Sequence, residues 1–185
     1  MTGHRVAVRA GVGAVRWRAA GAALALLALL GVSLTTGCAS GLAGDTIVRT
    51  GTGPNAKEVF TTRTVMAYGR GPSFDETRRW QDQVDERVFR YLRDHPEIER
   101  AERYSDFRFY RQVTPGSTRG EVRALLDDPD ERTIDAALMA VLAGGNWTGM
   151  QGKAREAWVY PGGWVLYFDD KAVVDITRRG PPPDS

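Results

Sequence analysis

The sequence predicts an α+β fold: helices packed on a small three-stranded antiparallel sheet, with a long helix preceding this module. Three patterns carry the prediction. An apolar stripe at helical spacing runs through residues 74–94, a capped short helix follows Thr118, and three strand-like runs fill residues 155–177. A sheet of this size has one dry face, and helices are needed to cover it.

The first 37 residues have the pattern of an export signal. Residues 19–34 form an uncharged apolar run, which as a helix is about 24 Å long and shorter than the ~30 Å hydrocarbon core of a membrane. Small residues then lead to Cys38, the only cysteine of the chain. This junction resembles the lipobox of bacterial lipoproteins, with Thr35 where leucine is usual, and the resemblance implies a lipid on Cys38.

The alternative is an uncleaved N-terminal anchor helix, because the apolar stretch extended through Gly37 is just long enough to span a membrane. Under both interpretations the leading arginines stay inside, and residues 39–185 lie outside the cytoplasm. Ala39 stands where lipoproteins retained in the inner membrane have Asp. The resemblance therefore implies the periplasmic face of the outer membrane in a diderm organism, and otherwise the extracytoplasmic membrane face.

Two segments follow the lipidation site. Residues 38–56 are dense in Gly, Ala, Ser and Thr and predict a flexible tether. Residues 57–68 alternate in a way that is typical of an edge strand or of an extended segment lying on the body.

The clearest helix starts at Ser73, which with Glu76 forms a capping box, and it should end near Asp94. Helical spacing of apolar residues predicts a second helix over 97–110. We therefore interpret residues 57–111 as an extended segment and helical extension that precedes the main module.

Residues 112–177 form that module. Residues 113–129 read VTPGSTRGEVRALLDDP, with a turn, a capping box from Thr118 to Glu121 and a short helix ended by Pro129. The runs REAWVY, WVLYF and AVVDIT follow and predict three strands joined by two hairpin turns, and residues 178–185 predict a disordered tail.

The order of V-x-x-G-x-[ST]-x-x-E-V-x-x-L-L-x-x-P, W-x-Y and L-x-F-D resembles the SmpA/OmlA lipoprotein family, the BamE-like subunit of outer-membrane β-barrel assembly. The resemblance implies an αα-βββ fold and a role in outer-membrane assembly or maintenance. Two departures stand out. Asp127 occupies the place of a helix-ending glycine, and residues 130–153 insert an amphipathic helix over 134–142 and a loose loop.

Composition argues against several function classes. The chain has 25 Lys and Arg against 23 Asp and Glu, but four arginines precede Cys38, which leaves a slightly acidic body. We therefore expect no nucleic-acid partner. A single cysteine excludes a disulfide framework and a cysteine-built zinc site within one chain. No catalytic or phosphate-binding motif is present, so we predict no enzymatic activity, no cofactor and no metal.

His95 is the only histidine of the predicted mature chain, and a histidine before a proline at a helix end more often caps carbonyls than catalyses. The acidic run at 127–131 is interpreted as a solvated turn and not as a calcium site. Strand and loop aromatics predict an exposed interaction surface, because neighbouring strand positions face opposite sides. Its candidate members are Trp147, Trp158, Tyr160 and Trp164.

These observations favour a lipid-anchored cell-envelope protein that binds another protein and reaches the membrane through its N-terminal lipid. The alternative is an inhibitory or ligand-binding module similar to the β-lactamase-inhibitor proteins, which share a helix-and-sheet architecture. A hydrolase using His95 is the third hypothesis.

Overall fold

The computed structural model describes residues 46–180, and the fold within this range is α+β, as predicted. The sheet is antiparallel and has five strands rather than three, in the order β1-β5-β4-β3-β2. The strands are β1 (Thr46–Arg49), β2 (Glu131–Thr133), β3 (Glu156–Tyr160), β4 (Trp164–Phe168) and β5 (Val173–Gly180). The α-helices are α1 (Ala56–Tyr68), α2 (Phe74–Asp94), α3 (Arg119–Leu126) and α4 (Ala136–Ala143).

The two additional strands form the edges of the sheet. β1 pairs with β5, with Thr46 opposite Gly180, and β2 pairs with β3, with Arg132 opposite Trp158. The prediction of a tether through residue 56 is therefore wrong for 46–49, and that of a disordered tail is wrong for 178–180. Both errors have one cause: these short runs become strands by pairing with segments far away in the chain.

Helix α1 replaces the edge strand or extended segment that we expected over 57–68. Asn55 begins it, since its side chain accepts a hydrogen bond from the Lys57 amide at 2.9 Å. Gly69 ends it with φ at 67°, a left-handed conformation that glycine adopts readily. Phe60 then stacks on Trp80 of α2 with ring centroids 4.7 Å apart, so the aromatic residue serves helix packing.

Helix α2 has the predicted bounds, and its capping box between Ser73 and Glu76 is present. The second predicted helix over 97–110 is wrong as a continuous element. It divides into a 3₁₀-helix, Pro96–Arg100, and a π-helix, Asp106–Tyr110. The capping box from Thr118 to Glu121 is present at the start of α3.

Helices α1, α2 and α3 cover one face of the sheet and enclose the larger core with it. Trp158 lies at its centre and packs against Phe168, with ring centroids 4.6 Å apart. From the helices, Val88, Val122 and Leu125 are buried in the same core. We call this side the three-helix side.

The opposite face carries a second, smaller core. Its buried members are Met139, Ala143, Met150, Ala154, Ala157, Val165 and Tyr167. Helix α4 covers this face, which we call the α4 side. A helix is present as predicted over 134–142, but it starts at Ala136 and is apolar all round, so the amphipathic pattern expected for it is wrong. The loose loop expected from Gly144 is instead a 3₁₀-helix, Gly144–Gly149, and the Asn146 side chain donates to the Ile47 carbonyl at 3.1 Å.

Candidate interaction surfaces

Three of the four aromatic residues expected on an interaction surface are buried. Trp158, Tyr160 and Trp164 expose 0%, 1% and 6% of their surface, and Trp147 is half-buried against the smaller core. The expected exposed surface is therefore absent at these three positions. The reason is that helices cover both faces of the sheet, so a strand side chain is covered whichever face it points to.

The buried aromatic residues satisfy their polar atoms inside the fold. The Trp158 indole donates to Glu156 Oε1 at 2.7 Å, and the Tyr160 hydroxyl donates to the Asp127 carbonyl at 2.9 Å. Burial raises the pKa of the Tyr160 hydroxyl. The Trp164 indole donates to Glu58 at 3.1 Å. These contacts are those of core residues.

A different group of aromatic residues is exposed on the three-helix side. Phe89, Phe109 and Tyr110 expose 61%, 68% and 64% of their surface, and Phe109 meets the half-buried Tyr104 edge-on with centroids 5.9 Å apart. We call Phe89, Tyr104, Phe109 and Tyr110 the aromatic surface. The sequence pattern did not reveal it, because these residues come from two elements and three of them lie in or beside the π-helix.

Two cavities border the aromatic surface. The larger, of about 450 Å³, includes Lys57, Trp80, Asp85, Tyr110 and Arg111 in its lining. The smaller, of about 280 Å³, is lined by Phe89, Leu92, Arg93, Glu99, Tyr104 and Arg108. Because Tyr110 and Arg111 line the larger cavity and Arg108 lines the smaller, the π-helix and its end separate two concave regions along α2.

The residue that ends the π-helix has an unusual backbone and side chain. Arg111 has φ at 51°, a left-handed conformation that is uncommon for a residue with a side chain. Its guanidinium binds Asp85 at 2.5 Å, while its Nη1 is buried without a hydrogen-bond partner. Burial lowers the pKa of Arg111, and the neighbouring Asp85 opposes this shift. Single π-turns occur frequently at functional sites.

A second exposed apolar group lies on the α4 side. Ile134, Leu138 and Val141 expose 80%, 53% and 67% of their surface. Beside them is a cavity of about 210 Å³ whose lining is Glu131, Arg132, Thr133, Leu138, Val141, Leu142 and Val159. We call Ile134, Leu138 and Val141 the α4 apolar face.

His95 has structural contacts at the end of α2. Its Nδ1 lies 3.1 Å from Glu97 Oε1, and its ring centroid lies 4.4 Å from that of Tyr91. Its backbone amide donates to the Leu92 carbonyl, so it does cap the helix, although through the main chain. Across residues 46–180, no group of three His, Cys, Asp or Glu side chains could hold a metal ion.

The acidic run at 127–131 is tied to the helices by arginines. Asp127 pairs with Arg87 at 3.2 Å, and Asp130 pairs with Arg63 at 3.0 Å. Asp128 pairs with Arg123 at 3.1 Å. The run is thus a turn held by ion pairs to all three helices of the three-helix side.

The predicted signal peptide at 1–37 and the lipidation site Cys38 lie outside the described residues. In the part of the chain from 46 to 180, no helix combines the length and apolar character needed to cross a membrane. Comparison of the chain with family models, with curated proteins and with solved structures found no match. Similarity to SmpA/OmlA thus remains a prediction based on the motif of residues 112–177.

Proposed function

We propose that this protein is a lipid-anchored, extracytoplasmic binding module without enzymatic activity, and that it binds another protein through the aromatic surface. One observation carries the proposal. Phe89, Phe109 and Tyr110 each leave more than half of their surface in water, around a π-helix that separates two cavities. The sequence pattern that ends at Cys38 supports the anchor.

The composition of this surface fits a protein partner. Aromatic and arginine side chains are enriched at the energetic centres of protein interfaces. Aromatic rings bury large areas with few rotatable bonds, and arginine adds several hydrogen-bond donors. Arg93 and Arg108 line the smaller cavity with a single acid, Glu99, so its rim has a net positive charge. The partner we propose therefore offers an apolar side chain flanked by carboxylates.

The motif of residues 112–177 supports a more specific role. A helix-and-sheet lipoprotein with the SmpA/OmlA pattern would act in outer-membrane assembly or maintenance, on the periplasmic face of a diderm envelope. Helix α3 and strands β3, β4 and β5, all within residues 112–177, supply one helix and three strands of the proposed αα-βββ module. The edge strands and α4 are additional to it.

Photocrosslinking in intact membranes tests the binding surface. A photoreactive phenylalanine at Phe89 or Phe109 should capture a discrete protein, whereas the same group at Met66, which is 72% exposed on α1, should not. Capture of an outer-membrane assembly protein supports the assembly role, and capture of a soluble enzyme favours the inhibitory alternative. No capture at Phe89 and Phe109, or equal capture at Met66, would overturn the surface assignment.

Palmitate labelling tests the anchor separately. Radiolabelled palmitate should enter the parent protein and not the Cys38→Ser variant, since the variant lacks the only sulfhydryl of the chain. An unlabelled parent protein would contradict the lipid anchor. Turnover of a substrate that is lost in His95→Ala would contradict the absence of enzymatic activity.

A further inference from the structure

Helix α4 is unusual because it has no polar side chain. Its eight residues read AALMAVLA, yet only Met139 and Ala143 are buried. A helix that is apolar all round is ordinarily enclosed on every side. Here Leu138 and Val141 face outward, and Ile134, just before the helix, is 80% exposed. The outer side of α4 therefore has the composition of a buried surface.

The chain enters the described fold beside the end of this helix. A Cβ atom on Gly144, which caps α4, would lie 3.0 Å from Ile47 Cδ1, so β1 touches the helix end. Asn146 also donates to the Ile47 carbonyl. The first described strand thus begins next to α4 and on the edge of the sheet that α4 approaches.

The distance to the proposed lipid is short. Seven residues separate Cys38 from Thr46, and even fully extended they reach no more than about 28 Å. A lipid on Cys38 would therefore hold Thr46 within about that distance of the bilayer surface, and the end of α4 lies beside the next residue, Ile47. Tethering of this kind makes a weak contact intramolecular, so a few apolar side chains are enough to occupy it.

We propose that the α4 apolar face docks on the phospholipid bilayer that holds the lipid of Cys38. This inference rests on the proposed lipid anchor. Glu131, Arg132 and Asp135 flank Ile134 with two acids and one arginine, so nothing there attracts anionic lipid and the contact depends on apolar burial. Zwitterionic phosphatidylcholine should therefore suffice, and added salt should not release the contact.

Fluorescence in vesicles tests the docking. The lipidated full chain carrying Val141→Cys is labelled with an environment-sensitive dye and reconstituted into phosphatidylcholine vesicles. Lipidation occupies Cys38, so the new thiol is the only free one. Brominated lipid should reduce the dye emission by about twofold, as expected for a side chain at the acyl boundary. The control label at Phe89→Cys, equally exposed on the three-helix side, should keep its emission.

A second variant separates docking from mere proximity. Ile134→Ser with Leu138→Ser, added to the labelled chain, should abolish the quenching, while circular dichroism confirms that the fold is kept. Quenching that persists in this variant, or equal quenching at positions 89 and 141, would overturn the inference. A blue shift of the dye without vesicles, accompanied by dimer formation, would assign the face to a second copy and overturn it as well.

The failure of the anchor is distinguishable from the failure of the docking. Mass spectrometry of the purified chain reports whether Cys38 carries acyl groups. An acyl-free cysteine refutes the proposed anchor, and with it this inference. An acylated cysteine without quenching at position 141 refutes the docking alone.

Discussion

On the three-helix side of the sheet, the long helix α2 turns arginines and acids toward water, while on the α4 side a single eight-residue helix carries no charge. The two cores differ accordingly. The larger core is enclosed by three helices, of which α2 is long and amphipathic, and is fastened at its margin by ion pairs from Arg63, Arg87 and Arg123. The smaller core is enclosed by α4 and the 3₁₀-helix that follows it, and the outer side of α4 is apolar.

The comparison shows that a helix can cover a sheet face and still present an apolar outer surface to water. On the three-helix side, the charged outer residues of α2 are hydrated favourably, and the aromatic surface is a part that offers apolar area to a partner. Helix α4 covers its side of the sheet by burying Met139 and Ala143, but this leaves its own Leu138 and Val141 in water. Such a side gains free energy from any apolar surface that it meets.

The sharpest test of this comparison is truncation in each core. Leu125→Ala on the three-helix side should lower the free energy of unfolding by about 4 kcal/mol, and Met139→Ala on the α4 side by about 2 kcal/mol. Both side chains are 2% exposed and both lie on eight-residue helices, but α4 packs on the smaller core alone and can settle into the space that Met139 leaves. Urea unfolding of the full chain in detergent measures both, and equal losses would contradict the comparison.

Two capping boxes provide the next test. Glu121 of α3 is fully buried and accepts hydrogen bonds from Arg103 and from the Thr118 amide. Glu121→Ala should lower the free energy of unfolding by about 3 kcal/mol, because Arg103 loses the carboxylate that it binds in a partly buried site. Glu121→Gln should restore part of the loss.

The matched control is Glu76→Ala, which removes the corresponding carboxylate from the exposed box of α2. Arg70 and the cap at Ser73 hold the pKa of Glu76 well below its usual range. Water screens this pair, so the loss of stability should be smaller than for Glu121→Ala. A larger loss at Glu76 would show that burial does not decide the strength of these caps.

Asp127, at the junction between α3 and β2, is a position at which a substitution should raise the stability of the protein. Its φ of 63° and ψ of −165° lie in a region that is essentially restricted to glycine. Asp127→Gly should raise the free energy of unfolding by about 1 kcal/mol, since relief of strain exceeds the loss of an exposed pair with Arg87. Asp127→Ala keeps the strain and should destabilise the protein, and thermal unfolding compares the two.

The smallest effect at neutral pH comes from the buried tyrosines, one on each side. Burial raises the pKa of Tyr167 to about 12 and also raises that of Tyr160. Their contribution to stability is complete below about pH 10 and declines as pH rises toward the folded values, because the unfolded chain releases its phenolic protons first. In the Tyr160→Phe and Tyr167→Phe variants, the free energy of unfolding should each time fall less steeply with pH. Urea unfolding between pH 9 and 12 measures this dependence. A decline of unchanged slope in the double variant would contradict the assignment.

Local signals accounted for the elements that the sequence could predict. The capping boxes before α2 and α3 and the hairpin turns around β4 lie within a few residues of what they specify. The edge strands β1 and β2 are specified by distant partners, and no local pattern marks them. Helix α1 was missed because the residues over 57–68 were interpreted as the alternating pattern of a strand. The caps at Asn55 and Gly69 are the signal that could have identified the helix.

The candidate site was harder to predict than the fold. Trp158, Tyr160 and Trp164 are buried because they face the three-helix side, and α4 covers the other face, so strand alternation alone does not reveal which residues are exposed. The exposed aromatic residues around 104–110 were assigned to an ordinary helix, in which Phe109 would have joined an apolar stripe. The change to a π-helix and the reversal at Arg111 turn Phe109 outward instead.

The pairing of the first described strand with the last has a mechanical consequence. Thr46 lies opposite Gly180, so β1 starts and β5 ends at the same corner of the sheet. Tension applied between these two points opens the ladder one rung at a time instead of shearing all rungs together. The strand nearest the proposed lipid is therefore the part of the fold that yields first under load, and the sheet behind it is spared.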